Sequence, residues 1–351
     1  MKEPVSPAGA GPRPTVYFVF PQRKNESIER RISLANKKIA VSAKSRRLMI
    51  HETTTAYLFL LPFMAFFVGF VLYPMFMCLY TSFFKSTMGK TEDVFVGFQN
   101  YVKMMFEAKV GADGKVTYGD PIFRKGLKNT LVIVIVSVPV TCAFSLWVAS
   151  IISKMPVAAT SAFRCIFYLP VVTGSVAVTV VWKWMYNNYY GIFNYVLGEN
   201  GLGIIEKNIN WLGDEKYALW CIILILLTTS VGQPIVLYVS ALDNVDKSLV
   251  EAAEVDGATS MQAFWRIKWP QMMPTTLYIL VITTINSFQC FALIQLLTSG
   301  GPNNSTMTIM YYIYYTAFKL YDYGYANAMG VILANIIAIL SAIQFKMGQE
   351  K

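Results

Sequence analysis

Charged side chains are scarce in this chain, where Asp, Glu, Lys and Arg together make up 14% of 351 residues. A soluble globular domain carries about 25% of these residue types, whereas 55% of this chain is hydrophobic. The charges are also missing from six long apolar runs, apart from Lys183 near the end of the third run. This composition excludes an ordinary soluble domain and predicts an integral membrane protein.

Three further features are missing, and each excludes a class of mechanism. His51 is the only histidine, which excludes a histidine-based metal site or proton relay. The five cysteines lie in or beside apolar runs, without the spacing of a metal site or a disulfide framework. The pattern Gly-x-x-x-x-Gly-Lys-Ser/Thr does not occur, so we expect no ATP bound by a phosphate-binding loop in this chain.

The six apolar runs are long enough to cross a bilayer as helices, because about 20 residues span the hydrocarbon core. They lie at residues 57–82, 129–153, 165–184, 217–242, 275–298 and 325–345. Proton-coupled carriers generally need an ionisable group at membrane depth, and these runs offer none. A cation-coupled carrier can use backbone carbonyls instead, so that alternative is weakened and stays open.

One charged segment, residues 251–270, stands between the fourth and fifth apolar runs and reads EAAEVDGATSMQAFWRIKWP. Ser248 and Glu251 have the spacing of a capping box, which satisfies free amides at a helix start. Gly257 is placed to end that helix, because glycine accepts the left-handed conformation of a helix C-terminus. We therefore expect a short helix that is exposed to the aqueous phase.

A second short helix is expected in the same segment. Thr259 and Gln262 form another capping box, and Pro270 is expected to stop the helix because proline removes an amide donor. The sequence thus predicts two helices joined at Gly257.

The spacing of this segment resembles the cytoplasmic coupling loop of permease subunits of bacterial ABC importers. The motif is Glu-Ala-Ala, three residues, Gly, nine residues and Ile-x-x-Pro. Trp269 departs from the family pattern, which usually has Leu there, but it keeps an apolar residue in an apolar position. The resemblance implies these residues for contact with an ATPase: Glu251, Ala252, Ala253, Asp256, Gly257, Ile267 and Pro270.

The resemblance implies a fold and a set of partners. The fold is the all-α, six-helix type I permease bundle, with the coupling loop at about residues 243–274. The partners are a second related permease subunit, two ATPase subunits, an extracytoplasmic solute-binding protein and membrane lipid, without nucleic acid. ATP and magnesium would bind to the ATPases, leaving this chain without a cofactor and without enzymatic activity.

Two further stretches resemble the carbohydrate-type permeases, the group with the maltose, glycerol-phosphate and multiple-sugar systems. They are residues 297–330 and the sequence NWLGD at 210–214. A carbohydrate substrate is therefore expected. The first stretch also contains seven tyrosines between residues 311 and 325, which we interpret as an aromatic belt at the outer membrane interface.

The N-terminal 54 residues are expected to form a basic cytoplasmic tail. Residues 1–51 carry 11 Lys or Arg against three acidic residues, and residues 27–49 have the pattern of a helix on an anionic membrane surface. A flexible tail is an equal alternative. This tail predicts both termini in the cytoplasm of a bacterial inner membrane, with the permease domain at 55–347 and a short cytoplasmic end at 348–351. The first outer loop is unusually basic for this orientation.

Neutral polar residues inside the runs are candidates for a substrate path. Thr283, Asn286 and Gln289 follow one another at three-residue spacing, Gln233 precedes a proline in the fourth run, and Asn335 lies in the sixth. Sugar hydroxyls need such neutral donors and acceptors. Hydrogen bonding between helices is an equal alternative for these side chains.

Two other classes of function are alternatives to an ATP-driven importer. An ion-coupled secondary carrier would need an ion site within the membrane, and a membrane-embedded enzyme would need a catalytic constellation there. The runs provide neither acids nor histidines for these roles. An ATP-driven importer that receives its energy through residues 251–270 is the function that the sequence favours.

Overall fold

A computed structural model describes residues 43–87, 93–110, 116–198 and 201–349 of the chain. Most of the predicted basic tail, including most of the proposed surface helix at 27–49, lies outside these residues. The chain divides into two units, Met1–Val71 and Leu72–Lys351. In the first unit, helix α1 (Ala43–Phe67) contains Pro62, and a π-helical turn begins at Val68.

The second unit is mostly helical. Two small antiparallel hairpins interrupt it, β1 (Phe84–Lys85) with β2 (Val94–Phe95) and β3 (Ala108–Val110) with β4 (Val116–Tyr118). Its helices are α2 (Tyr73–Thr81), α3 (Gln99–Met105), α4 (Pro121–Ile152), α5 (Val157–Val172), α6 (Ser175–Met185), α7 (Ile192–Leu197), α8 (Ala218–Ser230), α9 (Gly232–Asp243), α10 (Lys247–Val255), α11 (Ser260–Ala263), α12 (Trp269–Phe288), α13 (Ala292–Leu297), α14 (Ile309–Phe318) and α15 (Tyr323–Gln349).

Four helical segments within the described residues are long and apolar enough to cross a membrane. They are Thr53–Thr81, Pro121–Ile152, Ser260–Leu297 and Tyr323–Gly348. Two bent pairs add up to two more spans, α5 with α6, bent by 93°, and α8 with α9, bent by 40°. The structure therefore has four to six candidate spans, and the expected number of six depends on counting each bent pair as one.

The third and second predicted spans differ from the helices that form. A single helix at 165–184 is wrong, because the chain turns between Val172 and Ser175, where Thr173 and Gly174 leave the helical conformation. The second span begins before residue 129, at Pro121. Its start is set by Asp120, whose carboxylate accepts hydrogen bonds from the amides of Ile122 (2.9 Å) and Phe123 (3.3 Å), as an N-cap residue does.

Helix α4 forms the centre of the second unit, where it packs against α8, α9, α12 and α14. Close approach between helices depends on Gly232 at the start of α9. A Cβ atom there would overlap the carbonyl oxygen of Phe167 in α5. The end of α9 is tied to the same helix by an ion pair of 2.7 Å between Arg164 and Asp243.

The carboxylate of Asp120 also connects distant parts of the second unit. Its Oδ2 atom accepts hydrogen bonds from the hydroxyls of Tyr312 (2.6 Å) and Tyr325 (2.8 Å). Burial raises the pKa of Asp120, but these two bonds and the two backbone amides together hold the pKa below its ordinary value. Tyr311, Tyr312 and Tyr325 are buried, so the interpretation of the whole tyrosine cluster as an aromatic belt at the membrane interface is wrong for these three.

We expect Asp120→Asn to lower the free energy of unfolding by roughly 1.5–3 kcal/mol, the value of a hydrogen bond to a charged group. The contribution of Asp120 is present above its unfolded pKa of about 3.9 and is lost as the pH falls through the lower folded value. Thermal melting in detergent measures the change. Asp214→Asn is the matched control, because Asp214 is exposed and accepts only from nearby backbone. Equal melting of both variants would contradict the anchoring role.

Candidate functional site

The 251–270 segment begins inside helix α10, which follows α9 after a short turn at residues 244–246. The N-cap of α10 is Asp246, whose Oδ1 atom accepts from the amide of Ser248 at 2.9 Å. The predicted capping box of Ser248 and Glu251 is therefore wrong, and the helix begins earlier. An aspartate is favoured at this position because its charge also interacts with the positive end of the helix dipole. The hydrogen bonds from Ser248 lower the pKa of Asp246.

The predicted end of this helix at Gly257 is present. Gly257 has a φ angle of +81°, and its amide donates to the carbonyl of Glu254 at 3.1 Å. The amide of Ala258 donates to Ala253 at 2.9 Å, which completes a Schellman motif. A Cβ atom at Gly257 would meet no atom within 4 Å, so the space around this turn is open.

The second helix starts as predicted but does not stop at Pro270. Thr259 and Gln262 form the reciprocal capping box. After α11 the helix continues through a π-helical turn, Phe264–Lys268, into α12. At the end of this turn the amide of Trp269 donates to the carbonyl of Phe264, five residues earlier. The hydrogen bond is therefore one residue longer than in a regular α-helix. Pro270 then lies in the first turn of α12, where a missing amide donor is tolerated.

The surface of the 251–270 segment combines exposed apolar side chains with acids. Val255 is 88% exposed, and Met261 and Trp265 are 66% and 54% exposed. Of the residues implied by the resemblance, five are exposed and two are partly buried. The exposed ones are Glu251, Ala252, Asp256, Gly257 and Pro270, and the partly buried ones are Ala253 and Ile267. Such a surface is typical of a contact site for another protein.

A cavity of about 130 Å³ lies between α5, α8, α9 and α12, and it is called the polar cavity because six of its eleven lining residues carry polar side chains. Three of the predicted path residues line it, namely Gln233, Thr283 and Asn286. Gln233 and Asn286 are exposed to this space, and neither side chain hydrogen-bonds to another residue that the structure describes. The alternative role for these two amides was hydrogen bonding between helices, and the described residues provide no such bond. The cavity carries donors and acceptors without a formal charge.

The other two predicted path residues are placed elsewhere. Gln289 lines a neighbouring cavity of about 360 Å³, which shares Val171 and Thr229 with the first. Asn335 lines neither, and its amide donates to the carbonyl of Val331 in its own helix at 2.8 Å. The structure adds Tyr278 to the first cavity. Tyr278 lies two helical turns before Asn286 and therefore on the same face of α12. A search for polar residues at three-residue spacing does not find it.

One family model matches this chain, and it is described as binding-protein-dependent transport system inner membrane component. That model matches residues 123–347, which include the whole 251–270 segment and the polar cavity. The chain belongs to this family. It is a multi-pass membrane permease rather than an enzyme, as predicted.

Named relatives of this permease are transport proteins. It is 33% identical over 286 residues to a multiple sugar-binding transport system permease protein of Streptococcus mutans, covering 81% of this chain and 91% of that protein. It is 31% identical to a lactose transport system permease protein of Rhizobium radiobacter, covering 67% and 78%. It is also 31% identical to the probable ABC transporter permease YesP of Bacillus subtilis, covering 88% and 94%.

The fold of the permease is that of a solved importer. A crystal structure of a bacterial ABC transporter involved in import of the polysaccharide alginate matches with a TM-score of 0.72 at 23% identity. The match covers 87% of this chain and 99% of that chain. This match confirms the prediction that the chain has the all-α permease fold.

Proposed function

We propose that this permease forms the translocation path for a carbohydrate, delivered by an extracytoplasmic solute-binding protein. The names of its relatives support a sugar as the substrate. The chemistry of the polar cavity supports it too, since Gln233, Thr283 and Asn286 offer neutral donors and acceptors for hydroxyl groups. A charged substrate would need a fixed counter-charge at this depth, which the lining residues lack.

The energy is proposed to come from two partner ATPases that bind ATP and magnesium, because this chain has no phosphate-binding loop. A second related permease would complete the path. Each ATPase would contact one 251–270 segment, with Glu251 and the open turn at Gly257 at the contact. In this arrangement the segment and both chain termini lie in the cytoplasm of a bacterial inner membrane.

One observation carries this proposal. The second half of the 251–270 segment belongs to one continuous helical stretch, formed by α11, the π-helical turn and α12, that runs from Ser260 to Phe288. The same stretch carries Thr283 and Asn286 into the polar cavity. A movement applied to the segment therefore displaces a wall of the cavity, as rigid-body alternation between inward- and outward-open states requires.

Affinity purification of the full chain from its native membranes, followed by mass spectrometry, tests this assembly. We expect a second permease, an ATPase with a phosphate-binding loop and a solute-binding protein to co-purify. The ligand of that binding protein would identify the sugar. A chain that purifies alone and drives uptake from an ion gradient in liposomes would instead establish the secondary carrier.

A further inference from the structure

An open, apolar cavity lies where the 251–270 segment meets the helix bundle. Its volume is about 490 Å³, and it shares no lining residue with the polar cavity. Residues of helices α4, α9, α12 and α15 and of the π-helical turn at Phe264–Lys268 line it. Leu146, Trp269, Leu280 and Met347 are among its walls. This lining gives a sugar too few hydrogen-bond partners and suits a hydrocarbon chain.

Two polar side chains at this cavity are turned away from its open space. Tyr238 is 0% exposed, and its hydroxyl interacts with the side chain of Thr276. The Nε2 atom of Gln344 donates to Thr284 at 2.9 Å. Both residues line the cavity, but the Tyr238 hydroxyl and the Oε1 atom of Gln344 have almost no accessible surface. An occupant of the cavity therefore contacts a mainly apolar wall.

The lining of the apolar cavity includes two tryptophans, and basic residues flank the lining residues in the chain. The rings of Trp265 and Trp269 lie 5.4 Å apart between centroids, and tryptophan is enriched at the membrane interface. Arg266, Lys268 and Lys346 stand beside these lining residues in the chain, and none forms an ion pair within the described part of the structure. Basic residues at the mouth of a cleft between membrane helices bind anionic lipid headgroups.

We propose that the apolar cavity binds an anionic membrane phospholipid. One acyl chain fills the cavity. The phosphate is held by Arg266, Lys268 and Lys346. A lipid fits better than a second protein chain because it supplies a hydrocarbon body and a negative charge in one molecule. The bound lipid would support the π-helical turn that joins the 251–270 segment to α12.

Native mass spectrometry of the purified full chain, titrated with phosphatidylglycerol or phosphatidylcholine, tests this site. We expect wild type to retain phosphatidylglycerol preferentially. Ala143→Trp fills the cavity from an exposed position of α4 and should remove this retention. Ala342→Trp is the matched control, an exposed alanine of α15 outside the cavity lining. Equal retention in wild type and both variants would overturn the proposal.

A further variant tests the contact with the headgroup. The double variant Arg266→Gln with Lys346→Gln should reduce the preference for phosphatidylglycerol by about fivefold for each charge removed. An unchanged preference in this variant would contradict the proposal. If Ala143→Trp lost a co-purifying permease chain but kept its lipid, the cavity would be a subunit contact and the proposal would fail.

Discussion

Gly257→Asp is expected to leave the permease folded and inserted while ATP-driven uptake falls by about thirtyfold or more, because loss of a central docking contact costs roughly 2 kcal/mol or more. The open space around Gly257 means that a new side chain meets no atom of this chain. The backbone pays only about 1–2 kcal/mol for a non-glycine residue at positive φ. The aspartate would instead project, with its charge, into the space assigned to the ATPase. Uptake and ATP hydrolysis in proteoliposomes of the assembled transporter measure the effect.

Gly203→Asp is the matched control for this variant. Gly203 has a φ angle of +64°, and a Cβ atom there would also meet nothing within 4 Å. The same substitution therefore brings the same backbone strain and the same charge to a turn outside the 251–270 segment. We expect near-normal uptake from Gly203→Asp. Wild-type uptake in Gly257→Asp would contradict the assignment of this turn to ATPase coupling. An equal loss of uptake in both variants would contradict it as well.

Asn286→Leu is expected to lower kcat/KM for sugar uptake about tenfold, because a hydrogen bond to a neutral hydroxyl contributes roughly 1–1.5 kcal/mol. The structure gives the Asn286 side chain no partner to lose within the chain, so the folded complex should assemble normally. The loss should therefore be confined to transport. Uptake kinetics and size-exclusion chromatography of the complex separate the two effects.

Asn335→Leu provides the same change of side chain at a position outside the polar cavity. Asn335 is exposed and bonds only to its own helix, so we expect little change in uptake. Failure of Asn286→Leu to assemble would favour a packing role for Asn286. Equal transport defects in the two variants would contradict the assignment of the cavity as the sugar path.

Local features of the fold could be read from the sequence where they depend on a few neighbouring residues. The Thr259 capping box and the turn at Gly257 each depend on residues within one helical turn, and both are present. Ser248 does not cap the helix, because the amide of Ser248 donates to the carboxylate of Asp246. In the predicted capping box the same amide would donate to the side chain of Glu251. The prediction that the helix stops at Pro270 is wrong because it assumes regular α-helical hydrogen bonds. The π-helical turn before Pro270 replaces those bonds.

Features that join distant residues could not be read in this way. The hydrogen bond between Asp120 and Tyr312 spans 192 positions, and no periodicity connects them. The polar cavity was partly predictable, because Thr283 and Asn286 share one helix. Their meeting with Gln233 depends on the bend between α8 and α9 and on the close packing at Gly232, and neither follows from hydropathy.

Cross-linking from the 251–270 segment tests most directly whether this segment receives an ATPase. Val255→Cys is compared with Tyr189→Cys, because the two native side chains are similarly exposed, at 88% and 85%. Both variants carry a serine in place of the exposed Cys165. A membrane-permeant bifunctional maleimide is added to native membranes. The account predicts that Val255→Cys links to a subunit with a phosphate-binding loop and that Tyr189→Cys does not. An ATPase product from Tyr189→Cys alone would contradict it.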